Sequence, residues 1–120
     1  VTYIQTWLVY ILDQLLANAI KYSKERTKIQ IFSKQKGNAV ELYVKDYGEG
    51  IKDYDLPRIF ERGYVGSNHH NGKYKSTGMG LYMVELMIKK LGHTITVESK
   101  DQEYTCFCIT FYNIAHHFNL

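Results

Sequence analysis

One ten-residue stretch, Leu42–Ile51, constrains the fold more than any other part of the chain. Its first half alternates apolar and polar residues, which predicts a β-strand with one buried face. Asp46 stands where this strand should end, and Gly48 and Gly50 follow it. Glycines allow backbone angles that a β-carbon forbids, and they leave room for a ligand against the backbone. The strand-end carboxylate therefore could accept a hydrogen bond from a ligand amino group, and an ordinary Asp-x-Gly turn is the competing interpretation.

Size and composition narrow the class of protein. The 120 residues (14.0 kDa) suffice for one domain over 1–120, with 45% apolar and 22% charged residues. The net charge of +3 is small and scattered, which argues against nucleic-acid binding. The longest apolar run is far too short to cross a bilayer. Cys106 and Cys108 are the only cysteines, and with no further metal ligands spaced nearby we expect free thiols rather than a zinc site.

Hydrophobic periodicity predicts an α+β domain. The helix expected at 4–23 has a polar edge, and the helix expected from 77–80 onward should end at Gly92. We expect helices at 4–23 and from 77–80 onward, a short helical piece at 56–60, and strands at 27–33, 39–45, 93–99 and 104–112, with residues 1–3 ending a further strand.

The polar edge of the first helix carries Gln14 and Asn18, four residues apart, with Lys21 and Tyr22 a turn later. Two amides and a lysine on one edge could hold a metal-bound phosphate. A polar face in water is the alternative interpretation. Because asparagine is a poor residue for a helix interior, the pattern favours a functional role.

The segment Gly63–Thr77 has no periodicity, and a loop this long is typical of a lid or of disorder. Gly78 and Gly80 then open the second helix. Unpaired N–H groups and the helix dipole at such a start favour phosphate. Together with a strand-end carboxylate and an amide-bearing helix, these features predict a nucleotide site. The P-loop and protein-kinase motifs are absent from the sequence.

Four segments resemble, in order, the N, G1, F and G2 boxes of the catalytic, ATP-binding domain of bacterial sensor histidine kinases: Leu15–Ser23, Asp46–Ile51, Arg58–Gly63 and Ser76–Leu81. The resemblance implies the Bergerat fold of DNA gyrase, Hsp90 and MutL. That fold is a two-layer α/β sandwich with a mostly antiparallel sheet, helices on one face and an ATP lid. A narrower resemblance is to kinases that work with peptide-antibiotic transporters.

The resemblance also implies residue roles. Asp46 would accept a hydrogen bond from the adenine amino group, and Asn18 would ligate Mg²⁺ and act in catalysis. Lys21 and Arg62 would be the catalytic cations that face the phosphates. Further nucleotide contacts would come from Gln14, Tyr22, Gly48, Gly50, Ile51, Phe60, Thr77, Gly78, Met79, Gly80 and Leu81.

Gln14 stands where the hydrolases of this superfamily have a glutamate that activates water. An amide cannot act as that base, so the resemblance implies slow ATP hydrolysis and transfer to a protein histidine instead. None of the chain's own histidines has the acceptor pattern, and we expect them on the surface or in the lid: His69, His70, His93, His116 and His117.

The acceptor histidine would then lie on separate dimerisation helices of the parent kinase, with a response regulator downstream. By the same resemblance, the chain is the cytoplasmic domain of a membrane-anchored, homodimeric parent. We expect the isolated domain to be monomeric and its N-terminal start to be trimmed. An anti-sigma-type serine kinase and a non-catalytic nucleotide-binding pseudokinase are the two alternatives.

Overall fold

Two helices and one antiparallel sheet make up the computed structural model, which describes residues 3–64 and 79–112. The strands lie in the order β1-β2-β4-β3, and each neighbouring pair is antiparallel. This confirms the predicted α+β class. In chain order the elements are α1 (Tyr3–Tyr22), β1 (Ile29–Lys36), β2 (Ala39–Asp46), a 3₁₀ turn (Leu56–Arg58), α2 (Gly80–Lys90), β3 (Thr94–Lys100) and β4 (Tyr104–Tyr112).

Both helices pack on the same face of the sheet, so the core is one layer between them and the strands. In α1, buried residues recur every four positions and form a stripe that belongs to the same buried cluster as side chains of β2 and β4. Each large apolar side chain that is fully buried there stabilises the fold by roughly 1.5–3 kcal/mol. The buried core consists of Ile11, Leu15, Ala19, Val44, Ile59, Val84, Ile88, Phe107, Ile109 and Phe111.

The predicted start and end of the first strand are wrong, and so is the strand assigned to Tyr3. Strand β1 begins later than the expected 27–33. It also ends later, because a two-residue turn at Gly37 and Asn38 pairs it residue by residue with β2 as far as Lys36. Its last residues are polar and exposed, so no apolar pattern marks that end of the strand. Tyr3, expected at the end of a strand, is the first residue of α1.

The end of α2 is capped as predicted from Gly92. This glycine has a φ of +82°, and its N–H donates to the carbonyl of Lys89 at 3.0 Å. The N–H of His93 donates to the carbonyl of Ile88, also at 3.0 Å. These two bonds are a Schellman motif, which ends the helix and turns the chain directly into β3.

Several expectations fall outside the described residues: nearly all of the predicted lid, Thr77 and Gly78, the histidines at 69, 70, 116 and 117, and the tail from 113. Within residues 3–64 and 79–112, no helix is long and apolar enough to span a membrane. Both cysteines are free thiols, as predicted. The same residues contain no cluster of three His, Cys, Asp or Glu side chains that could hold a metal ion.

Candidate functional site

Asp46 is the most deeply buried acidic side chain of the described residues, with 2% of its surface exposed. It is the last residue of β2, and it lies on the face that the helices cover. Its Oδ1 accepts a hydrogen bond from the N–H of Gly48 at 3.0 Å. Burial raises the pKa of this carboxyl from 3.8 to about 6, although the Gly48 bond works in the opposite direction. A buried carboxylate with so little compensation is well suited to accept from a ligand.

The glycine loop after Asp46 (residues 48–51) is wedged between the end of α1 and the β3–β4 turn. A Cβ at Gly48 would overlap the backbone carbonyl of Tyr22, and the N–H of Glu49 donates to that carbonyl at 3.1 Å. On the other side, the N–H of Gln102 donates to the carbonyl of Glu49 at 2.5 Å. The sequence predicted that these glycines leave room for a ligand against the backbone, but at Gly48 the group that comes close is the backbone of α1.

For two reasons, any residue other than glycine at position 50 would be strained. Its φ is +69°, a left-handed conformation that costs an L side chain about 1–2 kcal/mol. A Cβ there would also overlap the carbonyl of Lys100 at the end of β3. The loop therefore keeps its path only with glycine at this position.

The start of α2 meets the polar edge of α1 directly. A Cβ on Gly80 would come within 2.5 Å of Oε1 of Gln14, so only a glycine leaves that amide in position. Asn18, one turn further along α1, is half-buried like Gln14. The sequence predicted a glycine at the start of α2 and two amides on one edge of α1, and the structure brings Gly80 to that edge. Because α1 rises 1.5 Å per residue, about 12 Å separate its contact with Gly80 from its contact with Gly48.

Lys21 and Tyr22 continue this edge of α1 toward the glycine loop. The ammonium of Lys21 lies over the Tyr22 ring, 5.0 Å from its centroid, a favourable cation–π contact. Burial lowers the pKa of Lys21. Burial raises the pKa of Tyr22, and the charge of Glu49 raises it further. A partly desolvated ammonium binds an anion more strongly than one in bulk water.

The segment after the glycine loop carries two predicted site residues, Phe60 and Arg62. The Phe60 ring packs edge-on against Phe107, with 6.3 Å between centroids, so it belongs to the core margin. Arg62 is exposed. A small cluster fixes this segment: the Tyr64 hydroxyl donates to buried Asp55, and the Arg58 guanidinium lies 4.3 Å from the Tyr64 ring centroid.

Sequence reasoning missed two polar residues beside Asp46. Thr105 pairs with Asp46 across β2 and β4, and Ser99 pairs with Thr105 across β3 and β4. Thr105 is buried, and its hydroxyl lies 3.1 Å from that of Ser99. Both interrupt an otherwise apolar alternation along their strands, a signal that was available in the sequence.

His93 corrects a prediction, because it is buried rather than on the surface, with 3% exposed. Its Nδ1 accepts from the N–H of Tyr112 at 3.1 Å, so the ring proton lies on Nε2. It packs edge-on against Phe111, near the end of the sheet opposite Asp46.

Comparison with known families bears directly on this site. The family model described as "Histidine kinase-, DNA gyrase B-, and HSP90-like ATPase" matches residues 3–113, nearly the whole chain. The match therefore includes every element described above.

Two curated relatives are bacterial sensor proteins. The chain is 46% identical over 105 residues to Sensor protein BceS of Bacillus subtilis (strain 168), covering 88% of the chain and 31% of BceS. It is 44% identical over 93 residues to Sensor protein kinase GraS of Staphylococcus aureus (strain Newman), covering 78% of the chain and 26% of GraS. The chain thus spans about a third or less of the length of these relatives.

Solved structures of histidine kinases have the same fold. The catalytic domain of histidine kinase ThkA superposes with a TM-score of 0.75 at 25% identity, covering 90% of this chain and 68% of that one. The mycobacterial sensor histidine kinase MprB gives a TM-score of 0.81 at 23% identity over 89% of this chain and 72% of that one, which supports the fold alone.

Proposed function

Because the chain belongs to the family of histidine kinase-, DNA gyrase B- and HSP90-like ATPases, as a kinase catalytic domain that binds ATP, we propose a specific reaction for it. The domain binds Mg-ATP and donates the γ-phosphoryl group to a histidine on a separate dimerisation domain. This transfer would be the first step of a two-component signalling system, with a response regulator downstream. The parent protein would be a membrane-anchored homodimer whose catalytic domain lies in the cytoplasm.

One observation supports this proposal above the others. The polar edge of α1 contacts the glycine at the start of α2 through Gln14 and the glycine loop through Tyr22. Asn18 lies between these two contacts on the same helix. A ligand along that edge would therefore have phosphate-binding N–H groups at one end and the buried carboxylate of Asp46 at the other.

The residues fit a nucleotide bound in that direction. At the base end, Asp46 accepts from the exocyclic amino group, and Gly50 and Ile51 flank the ring. At the phosphate end, the backbone of Gly80 and its neighbours meets the phosphates. Lys21, three residues beyond Asn18 along α1, supplies positive charge between the two ends. The other contacts that the resemblance implied, including Arg62 and Phe60 and those at 77–78, are part of the same proposal.

Asn18 and Gln14 also fit a magnesium ion, since amide oxygens suit this cation and both side chains are half-buried on one edge. Bound Mg²⁺ would neutralise charge on the phosphate oxygens. Asn18 would hold it, while the remaining ligands would be water and the nucleotide. Two features support this magnesium site: Asn18 and Gln14 lie on one edge of α1, and Gln14 contacts Gly80.

Phosphoryl transfer needs mainly positioning and charge neutralisation, which this set of residues can supply. Hydrolysis needs a general base that takes a proton from water. Gln14 cannot be that base, because an amide does not titrate near neutral pH. Slow hydrolysis together with transfer to a histidine follows from this difference.

The direct test mixes the chain with the acceptor-helix fragment of its parent, Mg²⁺ and γ-labelled ATP. Phosphate on the helix that is lost in acid but stable in base supports histidine transfer. Phosphoserine on a sigma-factor antagonist instead would support the serine-kinase alternative, and ATP binding with no transfer would support the pseudokinase. Asp46→Ala should abolish binding, and an unchanged ATP affinity in this variant would contradict the base-end assignment.

A further inference from the structure

Three polar residues form a row across the sheet at the end where β2 stops. Asp46 on β2 lies opposite Thr105 on β4, and Thr105 lies opposite Ser99 on β3. All three lie on the face that packs against the helices, where residues directly opposite each other have Cβ atoms about 4.5–5.5 Å apart. The row therefore borders the proposed base end of the site.

The hydrogen bonds of Ser99 determine the direction of every proton in this row. Its hydroxyl lies 2.7 Å from the carbonyl oxygen of Tyr104, which can only accept, so the single Ser99 proton points there. Its oxygen also accepts from the N–H of Ile51 at 2.7 Å. The contact of 3.1 Å with the Thr105 hydroxyl must then be a bond that Thr105 donates.

This assignment leaves Thr105 with lone pairs only for any further partner. Above its pKa, the neighbouring Asp46 carboxylate is also an acceptor without a proton. Two adjacent acceptors match an exocyclic amino group, directly or through one water, because such a group has two N–H donors. An oxo group in the same place would leave acceptors facing each other, which costs binding free energy.

We propose that Ser99 is a positioning residue that makes the site select a 6-amino purine over a 6-oxo purine. It does so by drawing the Thr105 proton away from the site and by fixing the amide of Ile51 next to Gly50. Ser99 itself does not touch the ligand. This inference rests on the proposed nucleotide-binding function and concerns the same site.

The test compares two diphosphates that differ at purine position 6, ADP and inosine diphosphate, by calorimetric titration of the whole 120-residue chain at pH 8 with Mg²⁺. Ser99→Ala should weaken ADP binding about tenfold or more and inosine diphosphate binding by less than about threefold. Ser99→Thr keeps the hydroxyl and should restore the wild-type ratio of the two affinities. Thr96→Ala removes an exposed hydroxyl from the opposite face of β3 and should leave both affinities unchanged.

A second variant guards against a folding defect in Ser99→Ala. Thr105→Val keeps the shape of the side chain and leaves the bond between Ser99 and Ile51 intact, and it should reduce the same ratio. A ratio of the two affinities that is unchanged from wild type in Ser99→Ala or Thr105→Val would overturn the inference, as would an equal loss of both ligands that Ser99→Thr does not restore. Failure of the wild-type chain to bind ADP would instead refute the proposed function itself.

Discussion

Replacing Asp46 by asparagine should stabilise the ligand-free domain, although it removes the residue proposed to bind the base. The carboxyl is 2% exposed, and among residues 3–64 and 79–112 its hydrogen-bond donor is the N–H of Gly48, which is too little to compensate for the loss of water around a charge. The asparagine oxygen can accept the same bond, so Asp46→Asn removes the charge and keeps the local geometry.

The size of the effect follows from the raised pKa of Asp46. A shift from 3.8 to about 6 corresponds to a cost of about 3 kcal/mol when the group is ionised in the folded state. Relaxation and water penetration reduce such costs, so we expect a gain of about 1–2 kcal/mol for Asp46→Asn at pH 8. For a domain stable by about 5–15 kcal/mol, that gain is measurable.

The dependence on pH has a definite sign. The folded chain binds the Asp46 proton more tightly than the unfolded chain, so the stabilising contribution of the protonated form is complete below pH 3.8 and is lost as the pH rises through about 6. The advantage of Asp46→Asn should therefore be largest at pH 8 and fall to about half at pH 5, where the folded carboxyl is already protonated.

Urea denaturation of both proteins at pH 8 and pH 5, without nucleotide, measures this difference. Asp53→Asn is the matched control, because Asp53 is exposed near the same loop and its substitution should change the free energy of unfolding by less than about 0.5 kcal/mol at either pH. An Asp46→Asn variant that is no more stable than wild type at pH 8, or whose advantage is the same at pH 5, would refute the reasoning.

Three further outcomes are expected. Asn18→Ala should remove the Mg²⁺-dependent tightening of nucleotide binding while ADP still binds without metal, as calorimetry with and without Mg²⁺ would reveal. Gly50→Ala should cost at least about 2 kcal/mol in urea denaturation, whereas Gly37→Ala, with a similar φ of +61° but no atom within 4 Å of its Cβ, should cost only about 1 kcal/mol; equal costs would contradict the contact argument. Asp101→Asn breaks an ion pair with Lys52 whose side chains are 33% and 41% exposed, so a loss above about 1 kcal/mol would be inconsistent with the structure.

The core stripe of α1, the position of Asp46 at the end of its strand and the cap at Gly92 were predictable from sequence because each rests on short-range spacing. The stripe of Ile11, Leu15 and Ala19 repeats with the helical period, so α1 could be placed nearly to its ends. Asp46 could be placed because a glycine-rich break marks where its strand ends. The cap at Gly92 followed for the same reason.

The features that could not be predicted from sequence depend on how the strands pair with one another. Strand β1 runs to Lys36 because β2 offers a partner for every residue, and no local pattern reports that. The row of Asp46, Thr105 and Ser99 joins three strands that are distant in the sequence, so only the sheet order brings it together. Ser99 and Thr105 were detectable as polar breaks in apolar strands, but their contact with each other was not.

The two backbone hydrogen bonds of Glu49 link α1 to the β3–β4 turn. Its N–H is tied to the last turn of α1 and its carbonyl to Gln102 in the β3–β4 turn. A shift of the helix along its axis is consequently passed to the far hairpin without any side chain taking part. The glycine loop therefore fixes the position of the helices relative to the sheet. Hydrogen exchange of the Glu49 and Gln102 amides should slow together when a ligand binds next to either α1 or the β3–β4 turn.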